Sequence, residues 1–152
     1  MSGILKYITR LMLVLWVSIV SALAADEQQP SPVLTHADAA VILAKYSGFF
    51  DRYVTADASL NDCVGFLNKT GIYFGLMEVL DRKEFTRHDF ARVMGQMALV
   101  FDGEAEYDGG KVKLPNGIAS WEAFCTMNEI NFIEGYQSML EKFQMMAGKR
   151  DE

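Results

Sequence analysis

The sequence predicts a mostly α-helical fold: a helical repeat domain of paired helices that carries a short loop or hairpin insertion. Apolar residues recur at helical spacing, capping residues precede those stretches, and one stretch recurs 51 residues further along the chain. A chain of 152 residues suits one hydrophobic core and is too short for two separately cored domains. The composition, 51% hydrophobic and 22% charged, excludes disordered, collagen-like and disulfide-dense chains.

The net charge of the chain and its few potential metal ligands argue against several classes of function. Lys and Arg number 14 against 20 Asp and Glu, and the net charge of -6 argues against a nucleic-acid partner. The 2 His and 2 Cys show no spacing typical of a zinc site, and the acidic run 102–108 lacks the glycine and glutamate of a calcium-binding loop. No paired nucleophile and base is evident. We therefore expect a non-enzymatic protein without a metal or cofactor.

The amino terminus has the three parts of a secretory signal peptide. Lys6 and Arg10 precede an uncharged, largely apolar run from Leu11 to Ala25, which is 15 residues long and ends in small residues. A membrane-spanning helix needs about 20 apolar residues, so cleavage is favoured over an uncleaved anchor. The sequence predicts a signal peptide over residues 1–24, cleaved after Ala24, with cleavage after Ala25 as the alternative.

Export sets the expected organisation of the chain. Residues 25–32 are polar and contain proline, which is typical of a flexible leader. We expect a helical repeat domain over residues 33–147 and a charged tail over residues 148–152. No later stretch has membrane-spanning length, so the mature chain should lack a transmembrane segment and lie in the periplasm or at the cell surface.

An internal repeat supports the helical prediction. The segments Leu34–Phe50 and Phe85–Phe101 align without a gap, and each has threonine at its second position and aspartate three residues later. This spacing is that of a capping box, in which the hydroxyl and the carboxylate each accept a bond from the other residue's backbone N–H. Both segments therefore predict a helix that begins directly after the threonine.

A second, weaker repeat follows each of these helices. Residues 58–64 resemble residues 119–125, and Ser59 and Ser120 are the expected caps. Each helix is expected to run toward a glycine, which is Gly71 or Gly75 in the first copy and Gly135 in the second.

The two copies differ chiefly by an insertion. Residues 103–117 contain Asp-Gly-Gly and Pro-Asn-Gly around Lys-Val-Lys-Leu, which predicts a loop or a small hairpin. Apolar residues from Tyr136 to Met146 then predict a closing amphipathic helix that ends at Gly148.

The repeat resembles the S-layer homology domain. That family pairs a helix of the form Ala-Val-x-Tyr-Leu-x-x-x-Gly with a second helix that opens Ile-Thr-Arg-Ala-Glu. Residues Cys63–Ile72 have the first form and Phe85–Ala91 the second. Residues Leu34–Ala40 repeat the second half and Trp121–Gly135 the first. The resemblance therefore covers most of the expected mature chain.

The resemblance implies a non-catalytic module that holds proteins to cell-wall polysaccharide linked to peptidoglycan. Family members use the arginine of the Thr-Arg motif, which is Arg87 here, whereas the first copy has His36. The implied site is a groove between repeated helices, lined by Arg87, Lys69 and Trp121, that receives an anionic glycan. The alternative is that Arg87 is a solvated surface residue and that the domain serves protein interaction or assembly, with another envelope protein or as a homo-oligomer.

The two cysteines leave two alternatives open. Cys63 and Cys125 lie on corresponding helices and on the apolar stripe of each. In an oxidising compartment they could form a disulfide, which would stabilise the fold by roughly 3–4 kcal/mol through the loop it closes. They could equally be two separate buried thiols, because free cysteine is among the most buried residue types.

Overall fold

A computed structural model of the protein describes residues 31–150, and this part of the chain is mostly helical, as expected. In chain order, the elements are α1 (His36–Val41), a π-helical segment (Ile42–Tyr46), α2 (Leu60–Thr70), α3 (Leu76–Leu80), α4 (Arg87–Phe101), β1 (Tyr107–Asp108), β2 (Lys111–Val112), α5 (Trp121–Met127) and α6 (Phe132–Gly148). The predicted signal peptide, residues 1–24, lies outside the described residues, as do residues 25–30 of the leader and residues 151–152 of the tail.

The predicted helix caps are confirmed. Thr35, Ser59 and Thr86 are the N-caps of α1, α2 and α4, and each forms a capping box with the aspartate three residues later. At α4 the Thr86 backbone N–H donates to Oδ2 of Asp89 at 2.9 Å, and the Asp89 N–H donates to the Thr86 hydroxyl at 3.3 Å. Local sequence alone therefore sets where these three helices begin.

The two helices that the repeat aligns, α1 and α4, begin alike but end differently. The α4 helix runs for 15 residues without interruption, whereas α1 has 6 residues and then widens into the 5-residue π-helical segment. That segment ends at Tyr46, and Gly48 follows with a φ of 83°, a left-handed conformation that favours glycine. Gly48 therefore stands where the helical segment ends.

The prediction of one helix from Trp121 to Gly135 is wrong. Ser120 caps α5 through the Ala123 N–H at 3.1 Å, but α5 ends at Met127. Glu129 then has a φ of 57°, which turns the backbone out of the helix. Gly135 lies inside α6, where an added Cβ would stand 2.9 Å from Cε1 of Phe90. The glycine thus permits close packing of α6 on α4 and does not end a helix.

A short backbone pairing joins the starts of α1 and α4. Thr35 and Glu84 form an isolated antiparallel bridge. The Phe85 N–H donates to the Leu34 carbonyl at 2.8 Å, and the His36 N–H donates to the Lys83 carbonyl at 2.9 Å. The two capped helix starts are therefore held side by side, although they are separated by about fifty residues of sequence.

The expected insertion is a two-stranded antiparallel hairpin, formed by β1 and β2. The backbone N–H of Val112 donates to the Gly71 carbonyl at 2.9 Å, which ties the hairpin to the end of α2. Val112 is buried in a small apolar cluster with Leu99 and Phe124. The prediction of a hairpin is confirmed, and the hairpin is packed against the helices.

The α4 helix is the centre of the packing. It contacts α5, α6 and β2, while α1 packs against α2 and α3. The main core contains side chains from α1, the π-helical segment, α2, α4, α6 and the connecting segments, among them Leu43, Leu67, Phe74, Phe85, Val93 and Phe143. Burial of these apolar side chains stabilises the fold and fixes the position of α4 relative to the elements that pack on it.

Replacement of Thr86 by alanine should remove the N-cap of the central helix. A lost cap costs about 1 kcal/mol, within a range of about 0.5–2 kcal/mol, so Thr86→Ala should lower the free energy of unfolding by that amount in urea denaturation. The matched control is Thr126→Ala, because the Thr126 hydroxyl donates to the Glu122 carbonyl at 2.9 Å within its own helix and caps nothing. Equal losses for both variants would contradict the capping role.

Candidate functional site

A surface depression surrounds Trp121 and combines aromatic rings with three cations. Its volume is about 360 Å³, which falls within the range of small-ligand sites. The lining residues are Tyr73, Arg92, Gln96, Asp108, Lys111, Val112, Lys113, Leu114 and Trp121. We call this depression the Trp121 site.

Gln96 joins the three segments that form the Trp121 site. Its side chain is buried on α4, with a relative exposure of 1%. The amide oxygen accepts from the Tyr73 backbone N–H at 3.1 Å and from Nη1 of Arg92 at 2.9 Å. The amide nitrogen donates to the Val112 carbonyl at 3.0 Å. Because a buried amide must be hydrogen-bonded, these bonds fix the hairpin and the Tyr73 segment relative to α4.

Arg92 places a partly desolvated cation in the wall of the site. Its Nη1 also donates to the Tyr73 carbonyl at 2.6 Å. Burial lowers the pKa of the Arg92 guanidinium, although Asp89 and Tyr73 oppose the shift, and an arginine side chain remains charged in proteins. Within residues 31–150, no carboxylate lies within 4.0 Å of this guanidinium. The site thus holds a cation that an incoming anion could pair with.

Two of the cations lie over the ring of Tyr73. Nζ of Lys111 is 4.7 Å from the centroid of this ring, and Cζ of Arg92 is 5.8 Å from it. Both distances are those of cation–π contacts. The ring is 38% exposed, so part of the aromatic surface faces solvent beside the cations. Asp108 supplies one carboxylate to the lining, against the three cations.

Trp121 is positioned by packing at the start of α5. Its ring meets Phe124 edge to face, with centroids 5.7 Å apart. It also covers Gly95 of α4, where an added Cβ would stand 2.8 Å from Cζ3 and closer still to Cε3. Gly95 therefore leaves the space that the indole ring occupies in the wall of the Trp121 site.

The structure does not bring the three residues expected to bind polymer into one groove. Arg87 is exposed in the first turn of α4 and lines a different depression of about 690 Å³, together with Glu84 and Glu134. Lys69 is exposed in the last turn of α2 and lines neither depression. The three predicted residues therefore do not line one shared groove. The cations that line the same depression as Trp121 are Arg92, Lys111 and Lys113.

The two cysteines are separate buried thiols in the structure. The Cys125 thiol donates to the Ala91 carbonyl at 3.3 Å, which links α5 to α4. Burial raises the pKa of Cys125 to about 11, and the Glu122 carboxylate adds to the rise. Burial also raises the pKa of Cys63, which packs in the main core. Of the two alternatives, the structure has unbonded thiols.

Within residues 31–150, no group of three or more His, Cys, Asp or Glu side chains is arranged to hold a metal ion. In the same part of the chain, none of the helices combines the length and apolar character that a membrane crossing needs.

Trp121 is the one lining residue of the Trp121 site that the sequence analysis predicted as a binding residue. The residues that it missed include the aromatic Tyr73, the amide Gln96 and all three cations, which are Arg92, Lys111 and Lys113. The one available signal was Gln96, a polar residue in the otherwise apolar run Val93–Leu99. Its partners at Tyr73 and Val112 lie 23 and 16 residues away, so their proximity depends on the tertiary fold.

No protein-family model, curated protein or solved structure matches the chain.

An alanine at position 95 should displace Trp121. Gly-to-Ala changes inside helices usually stabilise by about 0.5–1 kcal/mol, but here the new methyl group would overlap the indole ring. We expect Gly95→Ala to destabilise the protein by about 1–3 kcal/mol and to alter the aromatic circular dichroism. Gly65→Ala is the matched control, because an added Cβ at that helical position meets nothing within 4 Å. Stabilisation of both variants would show that the Trp121 ring does not need this space.

The thiols should resist modification in the folded protein. Because burial keeps both protonated, neither should react with a disulfide reagent at pH 8, and both should react after unfolding without reductant. In the folded protein the Cys125 thiol keeps its proton up to about pH 11, whereas an unfolded cysteine ionises above about pH 8.5. The free energy of unfolding should therefore fall as the pH rises above about 8.5. Cys125→Ala should reduce that decline. An unfolded chain without reactive thiols would instead indicate a disulfide.

Proposed function

We propose that the chain is an exported, non-enzymatic module of the cell envelope that binds an anionic cell-wall polysaccharide in the Trp121 site. The proposal includes cleavage of the signal peptide after Ala24. It also treats the two capped helix pairs as divergent repeats similar to S-layer homology repeats. The observation that carries it is the set of three cations, Arg92, Lys111 and Lys113, beside the rings of Tyr73 and Trp121.

The chemistry of the site suits an acidic sugar. Carboxylate or phosphate groups on the polymer would pair with the guanidinium and ammonium groups, which form strong charge-assisted hydrogen bonds with such anions. The aromatic rings of Tyr73 and Trp121 supply apolar surface against which the less polar face of a sugar ring can pack. Together these groups match a ligand that alternates negative charge with apolar C–H surface.

Recognition of an anionic polymer must depend on the local charge of the Trp121 site. The whole chain carries a net charge of -6, which repels an anionic polymer at long range. The lining of the Trp121 site opposes this with three cations beside the carboxylate of Asp108, while Nζ of Lys113 also lies 3.6 Å from Oε2 of Glu106. Arg92 contributes most per contact, because its partly desolvated charge is screened less than that of an exposed lysine. Binding should therefore weaken with added salt, yet depend on these named cations.

A sacculus pull-down tests the proposal. The full chain and its Lys111→Gln/Lys113→Gln variant are incubated with purified peptidoglycan sacculi that retain their attached polysaccharide, and the retained fraction is measured at several salt concentrations. Removal of two cations from the site should weaken binding at least about tenfold, since each charge-assisted hydrogen bond contributes about 1.5–3 kcal/mol. Lys149→Gln/Arg150→Gln removes the same charge from another depression and serves as the matched control.

The pull-down also separates the two candidate arginines. Arg87→Ala should bind as the wild type does if the Trp121 site is the binding site, because Arg87 lines another depression. Equal retention of the wild type and the Lys111→Gln/Lys113→Gln variant would overturn the proposal, as would no retention of either protein.

A second candidate function is protein interaction or assembly without glycan binding. An exposed aromatic patch favours it: Phe49, Tyr53 and Phe101 are 52%, 73% and 57% exposed. Their rings connect to Phe50 and Phe66 through centroid distances of 5.2–6.5 Å. A connected set of exposed aromatic rings is typical of surfaces that bind another protein.

Light scattering discriminates this second candidate. If the aromatic patch mediates self-association, the wild type should have about twice the mass of one chain, and Phe49→Ser/Tyr53→Ser should be monomeric at the same concentration. A wild type that stays strictly monomeric, without a co-purifying protein, would count against assembly through this patch.

A further inference from the structure

A third depression lies between the end of the π-helical segment and the end of α6, away from the residues of the Trp121 site. Its volume is about 450 Å³, and its lining residues are Tyr46, Lys142, Met145, Met146, Lys149 and Arg150. We call it the α6 site. All of its lining side chains are either apolar or cationic, apart from the hydroxyl of Tyr46.

One of the three cations of the α6 site is anchored beside its apolar surface. Nζ of Lys142 donates to the Tyr46 carbonyl at 2.8 Å, which anchors α6 to the end of the π-helical segment. Lys149 and Arg150 follow at the carboxyl end of α6, where cations are favoured by the helix dipole. Three cations therefore surround the depression in a chain whose net charge is -6.

The apolar surface of the α6 site faces solvent. Met145 is 66% exposed and Tyr46 is 45% exposed, while Met146 is half-buried and packs against the main core. Methionine is flexible and polarisable, so it adapts to irregular apolar ligands such as acyl chains. The combination differs from that of the Trp121 site, where the apolar surface consists of rings.

We propose that the α6 site binds an anionic phospholipid, with the phosphate on the cations and the first acyl carbons on Met145 and Met146. Phosphate oxygens pair with guanidinium and ammonium groups, and a lysine or arginine close to an anionic lipid surface strengthens binding about fivefold. A volume of about 450 Å³ accommodates a head group and the start of a chain. The same surface would give the protein a peripheral membrane contact, independent of the proposed glycan binding.

Methionine methyl resonances test the proposal directly. The full chain, labelled with ¹³C at its methionine methyl groups, is titrated with monomeric dihexanoyl-phosphatidylglycerol, with dihexanoyl-phosphatidylcholine and with inorganic phosphate. Met145→Leu and Met146→Leu assign the two relevant signals. The phosphatidylglycerol should shift both signals saturably, and the dissociation constant should be at least tenfold weaker for the phosphatidylcholine. Inorganic phosphate at the same concentration should leave both signals in place.

Charge variants complete the test. Lys149→Gln/Arg150→Gln should weaken phosphatidylglycerol binding at least tenfold, and these exposed positions can be changed with little effect on folding. Lys111→Gln/Lys113→Gln, with the same charge change at the Trp121 site, should keep the wild-type dissociation constant. Residues 1–30, Asp151 and Glu152 stay the same in every protein. Equal binding of the two lipids, an unaffected Lys149→Gln/Arg150→Gln variant, or shifts confined to methionine signals other than those of Met145 and Met146 would each overturn the proposal.

Discussion

The backbone pairing between residues 34–36 and residues 83–85 is the constraint on which the rest of the fold depends. It places the first turns of α1 and α4 side by side, and each turn is closed by its own capping box. His36 reinforces the pairing, because Nδ1 of its ring donates to the Lys83 carbonyl at 2.9 Å and the ring meets Phe85 edge to face. Tyr136 extends the connection to α6, since its hydroxyl donates to the Phe85 carbonyl at 3.0 Å.

The position of α4 then determines the Trp121 site. Once the start of α4 is fixed, its middle turns place Gln96 against the hairpin, Gly95 against α5 and Arg92 beside the Tyr73 segment. Gly95 admits the Trp121 ring, and Gln96 ties the hairpin to the Tyr73 segment. The Trp121 site is therefore built on a helix and held by the hydrogen bonds of Gln96, which fix the positions of its cations and rings relative to one another.

Sequence reasoning predicted the features that local chemistry controls. The capped helix starts at Thr35, Ser59 and Thr86 depend on residues three positions apart, and the hairpin depends on its glycines. The role of Gly135 was misjudged, because a glycine needed for contact with Phe90 has the same local signature as a helix terminator. The neighbours of Trp121 could not be predicted, since they depend on long-range packing and on one buried amide.

Native-state hydrogen exchange tests the central pairing most directly. The amide protons of His36 and Phe85 donate across it, so we expect both to exchange only through global unfolding, with the same free energy of opening as the core amide of Val93. Rapid exchange of His36 and Phe85, while the amide of Val93 stays protected, would mean that the pairing opens locally. The two helix starts would then not be held together in the way that the account requires.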